Sequence, residues 1–441
     1  MISCRSVTYT RITSFSRHTP IMKFACLIGF AHWFLATASL RAETARAVGW
    51  EEFCLEVAAR NAALEAARER AEQARRLVDE AAARFWPSLS VSADRSRSES
   101  DGGTTDRTSA GLSAQYALYA GGSDRARWLQ ARANADVSEA ELAAARSLVG
   151  AEARSAFVRL LFAQERAALA EKISERRRQN FELVRLRFEA GAENKGSLLR
   201  VEAALRRAEA EVREAKRDIP VRQRELSALA GYDDPVAWVA VGSLEAPEPP
   251  DESDWGPLVR SVPAVRAAAA RAEAASAAAA LARGERRPEI SLQANLQREG
   301  EGDRLDQEGW SIGAAVSIPL FTGGGLPARY AAAEAAARAA RAEADQALRT
   351  AAAELERARA DLMNALDQVE VLRAFRAAAE IRAEIARAQY ANGLLSFQTW
   401  DQIEDELIQS EQNLLAQLRD AALAAAEWDR ARGVSPLPEA P

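Results

Sequence analysis

The sequence predicts a mainly α chain with a small β portion, built as two tandem repeats, each a β-hairpin flanked by long coiled-coil-like helices. Three observations carry this. Ala, Arg, Glu and Leu dominate, and only 6% of residues are aromatic, the bias of long helices rather than of one compact core. The phrases Leu118-Tyr-Ala-Gly-Gly122 and Leu320-Phe-Thr-Gly-Gly324 are near copies. Glycine punctuation then repeats in register: Gly121 to Gly191 and Gly323 to Gly393 are each 70 residues, and Gly191 to Gly231 and Gly393 to Gly433 are each 40. Pro87 and Pro288 precede the two phrases at matching distances, so an internal duplication organises the chain.

Residues 1–42 stand apart from the fold. Met22-Lys23, the apolar run Phe24–Leu35 and the small residues around Ala36-Thr37-Ala38 and Leu40-Arg41-Ala42 form a signal-peptide pattern, with Met22 as the true start. Its removal takes five of the 58 Lys and Arg residues and no acid, leaving 53 basic against 64 acidic groups, a net charge of −11 that argues against nucleic acid. It also takes His18, His32, Cys4 and Cys26. An exported chain with no histidine, one thiol (Cys54) and one methionine (Met363) has few means of acid–base, nucleophilic or metal chemistry. No enzyme, cofactor or metal is expected.

The first repeat occupies 43–231. A helical pattern over 51–86 stops at Pro87. From residue 88 the period becomes two: Leu89, Val91 and Ala93 alternate with serines, a polar loop spans Glu99–Arg107, and Ala110 to Leu118 alternate again. This makes a hairpin over 88–120, with Gly121 and Gly122 at the corner where strand hands over to helix. A long helix over 122–190 follows, about 100 Å at 1.5 Å per residue, and a return helix over 197–230. A connector rich in proline and acid covers 232–257. The second repeat, 258–433, contains an entering helix over 258–287 and a hairpin over 289–321 with its loop at 298–309. Gly323 and Gly324 form its corner, before a long helix over 326–391 and a return helix over 395–432. The tail, 434–441, is expected to be disordered.

Two hairpins give four strands of about ten residues, each with one apolar face, at the length that crosses an outer-membrane bilayer. Lipid demands paired backbone, and small closed barrels need about eight strands. A barrel shared between subunits of a homo-oligomer is therefore expected.

Over residues 50–433 the chain resembles TolC-type outer-membrane efflux proteins. The match lies in Leu118–Gly122, Pro319–Gly324, the turns Arg187–Gly191 and Gln389–Gly393, and Leu395–Asp401, taken in their order and spacing. The resemblance implies a homotrimer in the outer membrane of a Gram-negative-type bacterium, its 12-stranded barrel continuing into a periplasmic α-helical barrel. It further implies a passive conduit for small molecules or polypeptides, opening by untwisting at the tip. Its partners would be a periplasmic adaptor and an inner-membrane pump or ABC transporter, as in tripartite efflux or type I secretion. The connector would be a belt outside the helical barrel. The competing reading is a periplasmic coiled-coil adaptor or spacer, although no soluble β domain interrupts these helices.

The resemblance places candidate entrance residues at the far helical turns, near Gly191 and Gly393. Phe188 and Tyr390, three residues before these glycines, fall where relatives use an aromatic to hold the entrance closed; an aromatic staple inside each helical hairpin is the alternative. Where relatives place inward aspartates, nine residues after the glycine, this sequence has Arg200 and Gln402, with Asp401 adjacent. Leu395 replaces a partner arginine found in some relatives, and Lys195 makes the first turn more basic than the second.

Overall fold

The computed structural model describes residues 46–100, 103–250 and 254–438. The signal-peptide reading of 1–42 lies outside them. Short strand β1 (Arg46–Val48) leads into α1 (Trp50–Arg60) and α2 (Ala62–Ala83). The single helix expected over 51–86 is thus corrected to two. Asn61 takes an extended backbone, and its side-chain oxygen accepts from the Ala63 and Leu64 amides, capping α2 instead of continuing α1.

Strands β2 (Ser88–Ser100) and β3 (Gly103–Ala120) form the first hairpin. Their ladder runs from Ser88↔Gln115 to Ser100↔Gly103, so most of the loop expected at Glu99–Arg107 is strand. After the corner comes α3 (Ser123–Glu189), 67 residues long, then α4 (Lys195–Leu229). The connector carries structure of its own. It contains β4 (Trp238–Ala240), which pairs in parallel with β1. Trp238 and Phe53 pack with Phe157 and Leu226 in a core that fastens the connector to mid-α3. Gln164 completes the attachment by both donating to and accepting from the Ala240 backbone, at 2.9 Å each way.

The second repeat opens on α5 (Trp255–Ser261) and α6 (Pro263–Gly284). Here too one expected helix is two, because Pro263 drives Val262 out of the helical region. Strands β5 (Glu289–Glu301) and β6 (Gln307–Ser317) follow, then α7 (Gly325–Ala391), again 67 residues, and α8 (Phe397–Arg432). The second hairpin therefore ends at Ser317 rather than 321. Its loop is shorter than the 298–309 expected.

The four long strands form one antiparallel sheet in the order β2-β3-β5-β6. Beyond it the helices make a wall one helix thick. Near the sheet, α3 packs between α2 and α6, and α6 packs on α7; towards the far turns, α3 packs between α4 and α8, and α8 packs on α7. Among the described residues no helix is long and apolar enough to cross a membrane.

Expected disorder of the tail is also corrected for 434–438. Leu437 is buried, the Ser435 hydroxyl donates to the Arg146 carbonyl at 2.9 Å, and Pro436 sits where any side chain on Gly150 would be. Gly150 is the groove that receives the tail.

Candidate functional site at the far helical turns

Each long helix ends the same way. Gly191 and Gly393 take φ of 72° and 76°, left-handed values open to glycine at little cost, and close the last turn. The Ala192 amide reaches back to the Arg187 carbonyl at 2.8 Å, and the Leu394 amide to the Gln389 carbonyl at 2.9 Å. Asn194 and Ser396 then cap α4 and α8, their side-chain oxygens accepting from the Ser197 and Thr399 amides. The sequence thus sets both turns side by side.

Between the turns lies a buried cluster drawn from all four helices: Val184 of α3, Val201 of α4, Ala383 and Tyr390 of α7, and Trp400 and Ile403 of α8. Tyr390 is its centre. Only 1% exposed, it stacks on Trp400 with ring centroids 4.4 Å apart and planes 4° from parallel. The Arg187 guanidinium covers the ring at 4.7 Å and donates to the Tyr390 carbonyl at 2.9 Å. The Tyr390 hydroxyl donates to Glu193 at 2.8 Å. Burial, then the Glu193 carboxylate, push the Tyr390 hydroxyl above its ordinary range. Burial would raise Glu193 in turn, but the Asn194 amide and the Tyr390 hydroxyl outweigh it and hold that carboxyl below its ordinary range.

Above the turns, ion pairs cross from the first hairpin to the second. Asp401, buried, accepts from Arg200 at 2.7 Å and lies 3.7 Å from the buried Arg177, which also bonds Asp405. The Asp401 hydrogen bond raises the Arg200 guanidinium above its usual range. Glu404, fully buried, accepts from Asn180 at 3.1 Å and pairs with Arg387 at 3.2 Å, and Arg176 binds Glu411 at 2.9 Å. Of these, Arg177–Asp401 is buried on both sides and crosses between the repeats. Removing one partner of such a pair costs several kcal/mol, so it and the half-buried Arg176–Glu411 resist separation of the two helical hairpins. Arg387–Glu404 lies within the second hairpin.

The expected residues therefore divide. Tyr390 has the geometry of the staple, as an interior ring rather than an exposed plug. Phe188 lies at the surface, 36% exposed. Asp401 is not an open charge; its carboxylate is spent on Arg200 and Arg177. Gln402 and Lys195 are exposed, and Gln402 lines an open hollow of about 880 Å³ between the turns with Arg187, Arg200 and Gln398. Sequence reading missed Glu193 and Arg177 as partners, because their bonds span more than 190 positions. At the other end, Gly122 and Gly324, with φ of 87° and 82°, start α3 and α7 at the strand–helix corners.

Comparison with known proteins fits this architecture. The model of the outer membrane efflux protein family matches residues 55–232 and 258–433. The chain belongs to the outer membrane efflux protein family. Its place is accordingly the outer membrane. Among curated relatives, Nodulation protein T of Rhizobium leguminosarum bv. trifolii is 24% identical over 335 residues, 71% of this chain and 66% of the relative, just under two thirds of its length. Among solved structures, the outer membrane protein VceC of Vibrio cholerae aligns with a TM-score of 0.76 at 24% identity, covering 88% of this chain and 96% of VceC. CusC, described as forming a transmembrane channel, aligns with a TM-score of 0.79 at 21% identity over 88% and 92%. These likenesses establish the family's fold.

Proposed function

We propose that three copies of this chain form a passive export conduit: a 12-stranded barrel in the outer membrane, continuing into a helical barrel in the periplasm. The observation that carries this is the four-stranded sheet with two open edges. Among the described residues β2 and β6 have no partner on their outer sides, and one face of the sheet is apolar and exposed, with Val91 at 81% and Trp310 at 74%. In lipid an open edge leaves backbone groups unpaired at several kcal/mol each, so the sheet must close. Four strands are too few, and twelve from three copies exceed the eight or so that small barrels need. The two separate family matches support reading each subunit as a tandem duplication.

No bond chemistry is assigned to the conduit. A periplasmic adaptor gripping the far turns, and an inner-membrane pump or ABC transporter behind it, would supply the energy for tripartite efflux or type I secretion. Small molecules or polypeptides are the cargo class. The test is purification from outer membranes in detergent: a compact oligomer of three chains on unheated gels, conducting in planar bilayers, is expected. A mature chain that is monomeric and soluble without detergent would overturn the reading.

A further inference from the structure

The hollow between the two far turns is electrostatically lopsided. Its lining includes two carboxylates, Glu193 and Asp401, and two guanidiniums, Arg187 and Arg200. Both carboxylates are occupied inside the protein. Glu193 accepts from the Asn194 amide at 3.0 Å on one oxygen and from the Tyr390 hydroxyl at 2.8 Å on the other. Asp401 likewise takes Arg200 on one oxygen, at 2.7 Å, and turns the other to Arg177, at 3.7 Å.

The cations are less completely occupied. Arg187 donates from Nη1 to the Tyr390 and Ala391 carbonyls, at 2.9 and 3.3 Å, which leaves its charge in place; among the described residues it forms no ion pair. Its Nε is buried and has no hydrogen-bond partner. Arg200 commits Nε to Asp401 and holds Nη2 3.6 Å from the half-exposed Asp405, yet its side chain stays 63% exposed. Lys195, between the lining residues Asn194 and Gly196, is exposed and, among the described residues, without an ion pair. With Arg177 included, four cations stand against three carboxylates, and the exposed charges are Lys195 and Arg200. A concave site with a surplus of one sign raises the local concentration of ligands of the other.

The rest of the lining selects the kind of anion. Leu395 and Phe397, both half-buried, add apolar surface, and the exposed Gln398 and Gln402 add amide groups. A volume of about 880 Å³ is that of a small-molecule site. A bare inorganic ion would leave the apolar lining unused, whereas the guanidinium fork matches a carboxylate. We propose that the hollow receives a small organic acid, its carboxylate on Arg200 and Arg187 and its apolar body against Leu395 and Phe397, so that the conduit draws anionic cargo at its entrance. This rests on the conduit reading, in which cargo passes the far turns, and adds the chemical class of that cargo.

The test is saturation-transfer NMR on the full chain, purified from outer membranes in detergent, with benzoate as the probe and benzamide as its uncharged counterpart. Benzoate should bind at least about tenfold more tightly than benzamide, the effect of one hydrogen bond to a charged group. Lys195→Gln and Arg200→Gln should each weaken benzoate by about threefold or more and leave benzamide unchanged. Arg207→Gln, which alters an exposed arginine further along α4, should change neither. Lys195→Gln orphans no partner, so it carries the test if Arg200→Gln loosens the turns. Equal binding of benzoate and benzamide, or benzoate binding indifferent to both substitutions, overturns the site. Displacement of benzoate by inorganic phosphate at equal concentration overturns the organic-acid class, because charge alone would then be read. Mass and planar-bilayer conductance are measured on the same sample. A conducting trimer that binds no benzoate overturns the site and leaves the conduit standing, while a non-conducting monomer that binds it does the reverse.

Discussion

Replacing Tyr390 separates a ring that packs from a ring that plugs. Truncating a buried aromatic to alanine costs about 3–5 kcal/mol, and the Glu193 hydrogen bond is lost with it. The stacking on Trp400 and the Arg187 cover place Tyr390 in the middle of that range, about 4 kcal/mol for Tyr390→Ala. Tyr390→Phe keeps the ring and removes only the bond to a charged acceptor, about 1.5 kcal/mol. Since about 1.4 kcal/mol is a factor of ten, local opening of the turns should rise about tenfold in Tyr390→Phe and nearly 1,000-fold in Tyr390→Ala. Hydrogen exchange read by mass spectrometry on the assembled protein measures this directly, in peptides covering residues 183–200 and 386–403. Unchanged exchange in Tyr390→Ala, together with higher conductance in planar bilayers, would mean that the ring faces the passage, and the staple argument would fail.

Glu193 adds a pH dependence. Its carboxyl is held below its ordinary value of 4.5, so its contribution is complete above that value and is lost as pH falls through the lowered native one. Exchange at the turns should therefore accelerate below about pH 4.5 in the parent, and less so in Glu193→Gln. Burial pushes the Cys54 thiol up to about 11 from 9.0, so thiol labelling of the folded protein at pH 8 should be about 100-fold slower than after denaturation on thiolate fraction alone. Truncation after Gly433 exposes the site of Leu437 and should cost about 2 kcal/mol, read as a lower Tm. Gly150→Ala should reproduce part of that loss, because its new Cβ would sit 2.6 Å from Pro436 Cδ.

Most of the fold was legible because its signals are local and repeated. Glycines at 121, 191, 323 and 393 mark strand–helix corners and helix ends by backbone requirement alone, and alternation at 88–93 and 310–318 marks strands. The breaks at Asn61 and Val262 were available too, as a capping residue inside an apparent helix and a residue before proline, but periodicity outweighed them. The loop at Glu99–Arg107 misled because charged strand residues such as Arg95 and Asp106, paired across the ladder, look like loop by composition. The site was legible only by position. Its turns follow from spacing, whereas the partners of Asp401 and Tyr390 come from helices far away in sequence. The tail misled for the same reason: Leu437 finds its groove 291 residues upstream of itself, beside Arg146.

The core shared by α3, α4, α7 and α8 at the far turns has a mechanical consequence. Because one buried apolar cluster and the arginines Arg176 and Arg177 tie both helical hairpins together, neither can swing by itself without exposing charge that now has an internal counterpart. A push on either turn is carried to all four helices as on a single lever. In a threefold assembly that leaves three moving leaves rather than six, and a grip on one turn in each would suffice to part them.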